Sequence, residues 1–422
     1  MEINVNTQES VSRWTGETID AADQFVSQVA SIAEINMTVI PEMEQKAEVR
    51  KVAAVDEVAK HLSKEEMKEL LRYAKEMGHG LLEVADGIER GEVKSIELKM
   101  AGSAGAAMTH VFMRLTQSLK SEPQHQLLRK SLLVSTVSSF EILFGRTARS
   151  ILQINSAAFK ESDHGFTLQQ LGEFDSLDDA KEFLAERQVA KLLYESVDGW
   201  DKWLVRAAGG VSMSQLPVDW NIIREGIARR NLIVHADGVV NQIYLGTLKN
   251  LDSRRDWGVS VGRKLEVSQS YLDEFLQEIT ALGRMLSVAV GLKMRKAERD
   301  TFLASLQSDV YRSVMSGHWH TAISLSRYCM KHDLPRDRNI RMQVHLWVAR
   351  KALCGVDDIR GEVEKWDVSG LALDFSHYKS VLLDEESSTS QIRKLIEGGK
   401  LTAFDVAINP IYSGIRDAFA DS

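Results

Sequence analysis

Residues 127–154 read LLRKSLLVSTVSSFEILFGRTARSILQI. Leu133, Val137, Phe140, Phe144, Ala148 and Ile151 recur at three- and four-residue spacing, which places them on one face of a long amphipathic helix. Glu141 stands beside that stripe, where a charge ordinarily marks the rim of a core. The same character extends in both directions. Five prolines occur, Pro41, Pro123, Pro217, Pro335 and Pro410, and each is expected where a helix begins or ends. The spans between them are rich in Leu, Ala, Glu and Lys and poor in β-branched runs, so the expected fold class is all-α.

Working outward, the first twenty residues are polar and expected to be loose, and helices are expected from residue 20 to about 90. Ser63 and Glu66 form a capping box ahead of one apolar stripe. The Gly/Ala-rich stretch MAGSAGAAMTHVFMRL, 100–115, reads either as a connector or as a close-packed helix. Two further helices lie in DSLDDAKEFLAERQVAKLLYESVDGWDKWLVRAA, 175–208, before the break GGVSMSQLP. Another helix is bounded by Asp219 as N-cap and by Ala236-Asp237-Gly238 as its stop. The one β signal is a small hairpin in which Val259, Val261, Leu265 and Val267 flank a Gly262-Arg263-Lys264 turn. Ser270 and Asp273 suggest a second capping box, and DEESSTSQ, 384–391, reads as a solvent loop. The expected division is an N-terminal helical region (1–120), a middle helical domain (121–295) and a C-terminal helical region (296–422).

Composition narrows the function. The 422 residues are 44% hydrophobic and 27% charged, with a net charge of −8, which does not suit a protein that coats nucleic acid with its whole surface. A local basic cleft stays compatible with that balance. No apolar run stands out as a membrane span, and the start lacks a secretion signal. Cys329 and Cys354 are too few for a disulfide framework, so a cytoplasmic location is expected. No metal or cofactor is expected: there is no phosphate-binding glycine loop, nucleophile elbow or carboxylate-rich cluster, and on a helix His318 and His320 would point about 200° apart. The basic clusters RRDW, 254–257, and KMRKAER, 293–299, read first as solvated faces.

The informative stretch is ARRNLIVHADG, 228–238. At about 100° per residue, Ile222, Ile223, Gly226, Ile227, Ile233 and Val234 lie within about 80° of Arg230, while Arg224, Asn231 and His235 gather near 100–140°. Arg230 is thus expected in the middle of an apolar arc, where an unpaired guanidinium would be costly. Either a carboxylate, with Glu141 as the candidate, or an anionic ligand must compensate. On the first reading His235 merely closes the helix end.

Arg230-Asn231-x-x-x-His235 resembles the Arg-x(4–6)-His motif of the HEPN superfamily, including the Asn that often follows its Arg. The flanking HADGVVNQIYL, the Phe140-Glu141 helix and the VSVGRKLEVSQSYL segment are similar too, so the resemblance spans roughly 123–295. It implies a HEPN-type helical bundle acting as a metal-independent endoribonuclease, usually as a homodimer whose Arg/His pairs share one cleft. His235 would move protons, Arg230 would hold the scissile phosphate, and Asn231 would orient the imidazole or bond RNA. Glu141 would support Arg230; Arg224 and Arg229 are candidate RNA contacts that read at least as well as residues of a solvated face. The resemblance also implies a regulated toxin or anti-phage role, with a regulatory protein or phage trigger as partner. The alternatives are a non-catalytic HEPN scaffold binding RNA, nucleotide or protein, and a helical adaptor. For the adaptor, residues 316–355 resemble a tetratricopeptide helix pair with Trp319, Ala322 and Ala349 at packing positions, expected to dock on the middle domain.

Overall fold

The computed structural model describes residues 12–47, 49, 60, 62–89, 101–120, 123–155, 158, 166–251, 258–369, 371 and 377–419. Its first helices are α1 (Arg13–Glu34), α2 (Lys64–Glu89), α3 (Gly102–Lys120) and α4 (Gln124–Ile154). Next come α5 (Leu177–Leu193), α6 (Val197–Ala207), α7 (Trp220–Ala236), α8 (Gln242–Lys249) and α9 (Gln269–Met294). The C-terminal part contributes α10 (Arg299–Met315), α11 (Trp319–Met330), α12 (Arg336–Cys354) and α13 (Ser387–Glu397), with shorter turns between. The protein is all-α, and the described residues contain no β-strand, only an isolated antiparallel bridge between Val239 and Lys264.

The chain divides into two compact units: residues 34–132 with 266–269 form one, and residues 1–33, 133–265 and 270–422 form the other. In the smaller unit, α2 opens with the expected capping box, Glu66 N–H on Ser63 Oγ and Ser63 N–H on the Glu66 carboxylate. The Gly/Ala-rich stretch is the helix α3, whose small residues let Ala104 and Met108 close against Leu70 and Tyr73. Pro41 corrects the expected boundary. The chain stays helical through it, because the preceding turn, Ile35–Val39, is π-helical, with Ile40 N–H on Ile35 O, and its width absorbs a ring that a regular helix would not.

The larger unit is built on two helices. On α4 all six stripe residues are fully buried. Phe140 meets Phe25 of α1 at 5.9 Å between centroids, and Phe144 stacks on Trp200 of α6 at 4.4 Å. Such large side chains each contribute about 1.5–3 kcal/mol on burial. The other is α9, which does reach the length and mean hydropathy (1.3) of a membrane span; 83% of that window is buried inside the protein, as a central core helix requires. It begins at Gln269, so Ser270 is already helical and is not the N-cap expected of it.

Three other expectations are corrected. Helix α1 begins at Arg13, not beyond residue 20, because Trp14, Thr15 and Thr18 are buried by tertiary packing despite a polar neighbourhood. Most of DEESSTSQ is the first turn of α13, with Ser388 buried. The hairpin is replaced by a different pairing: Val240 N–H bonds Arg263 O, Gly262 N–H bonds Val240 O and Leu265 N–H bonds Gly238 O, each at 2.9 Å. Residues 262–265 therefore lie against the chain leaving α7 instead of folding onto their own neighbours, and Leu265 fills a cluster with Leu232, Val240, Tyr244 and Leu248. The helix pair α11–α12 packs through Ala322 and Ala349, both fully buried, with Trp319 against the same cluster. It docks on α9 through Gln277, which accepts His320 N–H at 3.0 Å on its side chain and the Thr321 hydroxyl at 2.9 Å on its carbonyl.

Candidate active site

Helix α7 has the expected bounds. Asp219 caps it by accepting the N–H of Asn221 (3.0 Å) and Ile222 (3.3 Å), and its own N–H donates to Glu278 of α9 at 2.9 Å. Burial pushes the Glu278 carboxyl up to about 7, against the lowering effect of that hydrogen bond. At the other end Asp237 (φ 50°) and Gly238 (φ 77°) turn left-handed, and Gly238 N–H closes on Leu232 O at 3.1 Å. Midway, Gly226 lets α7 approach α9 so closely that a Cβ there would sit 2.1 Å from the Phe275 ring.

The buried face of α7 is Ile222, Ile223, Glu225, Gly226, Arg229 and Leu232. That arc is centred near Arg229, about one residue step, or 100°, from where the apolar pattern centres it. Ile227 and Ile233 are half-buried and Val234 is 51% exposed. The guanidinium enclosed by the core is therefore Arg229's, and this corrects both the assignment of that place to Arg230 and the reading of Arg229 as a surface contact for RNA. Its Nε donates to Glu225 at 2.7 Å, one helical turn back, and its guanidinium lies 3.7 Å over the Tyr271 ring. Glu225, fully buried, also accepts the hydroxyls of Tyr244 and, at 2.5 Å, Tyr271. Burial works against the charge of Arg229, but Tyr271, Glu225 and Tyr244 outweigh it and raise its pKa; burial and the Glu225 charge raise the pKa of both tyrosines. Four polar groups thus satisfy one another inside the bundle. The signal for this cluster was present as the i, i+4 pair Glu225/Arg229.

Arg230 is half-buried. Its Nη2 pairs with Glu141 of α4, as one of the two sequence readings has it, with side-chain exposures of 18% and 28%. The pair is a rim contact and is not sealed in the core. Burial draws the Arg230 pKa down, and its Nε is buried with no acceptor among the described residues. Asn231 and His235, one turn apart on α7, are both exposed, and His235 lies in the last turn. Val234 (51%) on α7, Val239 (37%) just after it, Ile243 (82%) on α8 and Ile142 (55%), next to Glu141 on α4, are exposed apolar side chains. Arg224 stands apart, bound to Asp198 at 2.9 Å and to Asn250 O at 3.4 Å. In KMRKAER, Arg295 lies over Trp14 at 5.5 Å and Arg299 bonds Asp333 O, while RRDW lies outside the described residues. Among the described residues no three His, Cys, Asp or Glu side chains group as a metal site.

The arrangement offers a cation held at one edge by a carboxylate, with an amide and an imidazole open to solvent on the same helix. Comparison with protein-family models, with curated proteins and with solved structures returns no match.

Proposed function

We propose that the protein is a HEPN-type, metal-independent endoribonuclease that serves as a regulated toxin or anti-phage effector in the cytoplasm. The observation that carries this reading is the exposure of Asn231 and His235 beside Arg230, whose guanidinium Glu141 orients. A surface imidazole five residues along the same helix from a fixed cation supplies the two kinds of group that RNA self-cleavage needs. His235 takes the proton of a ribose 2′-OH; that oxygen attacks the adjacent phosphorus; the bond from phosphorus to the 5′-oxygen breaks, and the leaving oxygen receives a proton. The products are a 2′,3′-cyclic phosphate and a 5′-OH. Arg230 stabilises the charge gathered on the phosphate, and Asn231 positions the imidazole or the RNA.

Two copies are proposed to share the cleft. The exposed Ile142, Val234, Val239 and Ile243 beside the motif support a seam of this kind. The C-terminal helices, which resemble a tetratricopeptide pair, are the proposed place for a regulatory protein or phage trigger. A second reading, a non-catalytic scaffold, draws on the same ion pair, since Glu141 already neutralises much of the charge of Arg230.

The test is incubation of purified protein with structured and unstructured RNA in EDTA, beside His235→Ala. The nuclease reading expects cleavage that falls at least about a hundredfold in the variant. Cleavage that survives the substitution, or that requires Mg²⁺, refutes it; RNA binding without cleavage favours the scaffold.

A further inference from the structure

Helices α10 and α12 enclose a groove of about 680 Å³, far from the motif in sequence and within the size range of small-molecule sites. Its chemistry differs from the rest of an acidic chain. Arg312, Arg338 and Arg341 line it against a single carboxylate, Asp337. Arg338 and Arg341 are both exposed and lie one helical turn apart on α12, and Arg312 of α10 bonds Asp309 at 2.7 Å.

The wall and floor are as informative as the charge. Tyr311, a 46% exposed residue of the lining, has its ring centroid 6.0 Å from the His345 imidazole, so an accessible aromatic ring forms part of the groove wall. Among the described residues, two buried polar atoms of the lining have no partner: Gln307 Nε2, a donor, and His345 Nδ1. Each such atom carries an unmet desolvation cost that a ligand would relieve. Burial, with Arg341 adding to it, pushes the His345 pKa down to about 4, so the imidazole meets a ligand at neutral pH as a neutral hydrogen-bonding group and not as a cation.

We propose that this groove binds a nucleoside phosphate, its base laid against Tyr311 and its phosphates held by Arg338 and Arg341. An aromatic plane for the base, hydrogen-bonding atoms for its edge and guanidinium groups for its phosphates are the three elements such a ligand requires. An acidic peptide would account for the arginines alone and would leave Tyr311, Gln307 and His345 without a role. The site is independent of the nuclease reading, because it shares no residue with α7.

The experiment is titration of the full chain with ATP, ADP, AMP, GTP and inorganic pyrophosphate, followed by calorimetry, with a hexaglutamate peptide as competitor. Saturable binding of at least one nucleotide is expected, tighter than pyrophosphate by about tenfold because the base adds its stacking. Arg338→Ala with Arg341→Ala should weaken it at least about tenfold, and Tyr311→Ala by a similar factor. These side chains are exposed, so the fold is retained, which circular dichroism checks. Absence of saturable nucleotide binding overturns the proposal, as does binding indifferent to the three groove substitutions. Hexaglutamate displacing nucleotide at equal concentration, or pyrophosphate binding as tightly as every nucleotide, shows a general anion site and overturns it too.

Discussion

Arg229 and Arg230 are neighbours in sequence and opposites in the fold, and their substitution should separate stability from function. In Arg229→Ala the fully buried Glu225 loses its only cationic partner among the described contacts and retains two tyrosine hydroxyls. Breaking a buried pair from one side costs about 3–5 kcal/mol, and the lost contact over the desolvated Tyr271 ring adds up to about 2 kcal/mol. Against a total stability of about 5–15 kcal/mol this is a severe loss. Arg230→Ala removes a rim pair whose members are 18% and 28% exposed, for which about 0–1 kcal/mol is expected. Urea unfolding followed by tryptophan fluorescence measures both. Pairing Arg229→Met with Glu225→Gln removes both charges together and should recover about half of the loss, since no lone ion is left in the core. An Arg230→Ala penalty equal to or above that of Arg229→Ala would show that the buried guanidinium has been misassigned.

Further outcomes follow from the same geometry. Gly226→Ala should destabilise by about 1–3 kcal/mol in the same unfolding assay, because the clash with Phe275 exceeds the gain of about 1 kcal/mol in helix propensity; a stabilised variant would contradict the close approach of α7 and α9. Glu278 has a folded-state pKa of about 7, above its unfolded value, so its contribution to stability is fully present below about pH 4.5 and is lost as the pH rises towards 7. Glu278→Gln, which can still accept Asp219 N–H, should flatten that part of the stability-versus-pH curve and stabilise the protein at pH 8 by up to about 3 kcal/mol. Val234→Glu or Ile243→Glu should shift the sedimentation of the protein towards the monomer and lower RNA cleavage together; an unchanged sedimentation profile would remove the proposed seam.

What could be read from sequence depended on whether a residue's surroundings were local. The α4 stripe was legible because six large or small apolar residues at helical spacing admit one buried face, and all six are enclosed. The ends of α7 were legible because caps are local: Asp219 and Asp237-Gly238 make their bonds within a turn. The orientation of α7 was not. Ile227, Ile233 and Val234 carry the hydropathy of a core but lie towards the surface, while Glu225 and Arg229 enter the interior because each cancels the other and two tyrosines from elsewhere complete the cluster. Counting charge as exposed turned the wheel by one residue. The hairpin failed for a related reason: the backbone groups of 262–265 are met by residues 238–240, a partner more than twenty positions away. Of the candidate site, the Arg230–Glu141 contact is legible as one of two ways to compensate a guanidinium on that face, whereas Arg224 is committed to Asp198 on α6, a partner distant in sequence.

The ends of the fragments that the purified chain produces in EDTA decide whether His235 and Arg230 cleave RNA by the proposed internal attack of the ribose hydroxyl. Fragments bearing 2′,3′-cyclic phosphate and 5′-hydroxyl ends, absent from both the His235→Ala and the Arg230→Ala reactions, are the predicted result. Fragments with 5′-phosphate ends, or the same fragments from either variant, would contradict it.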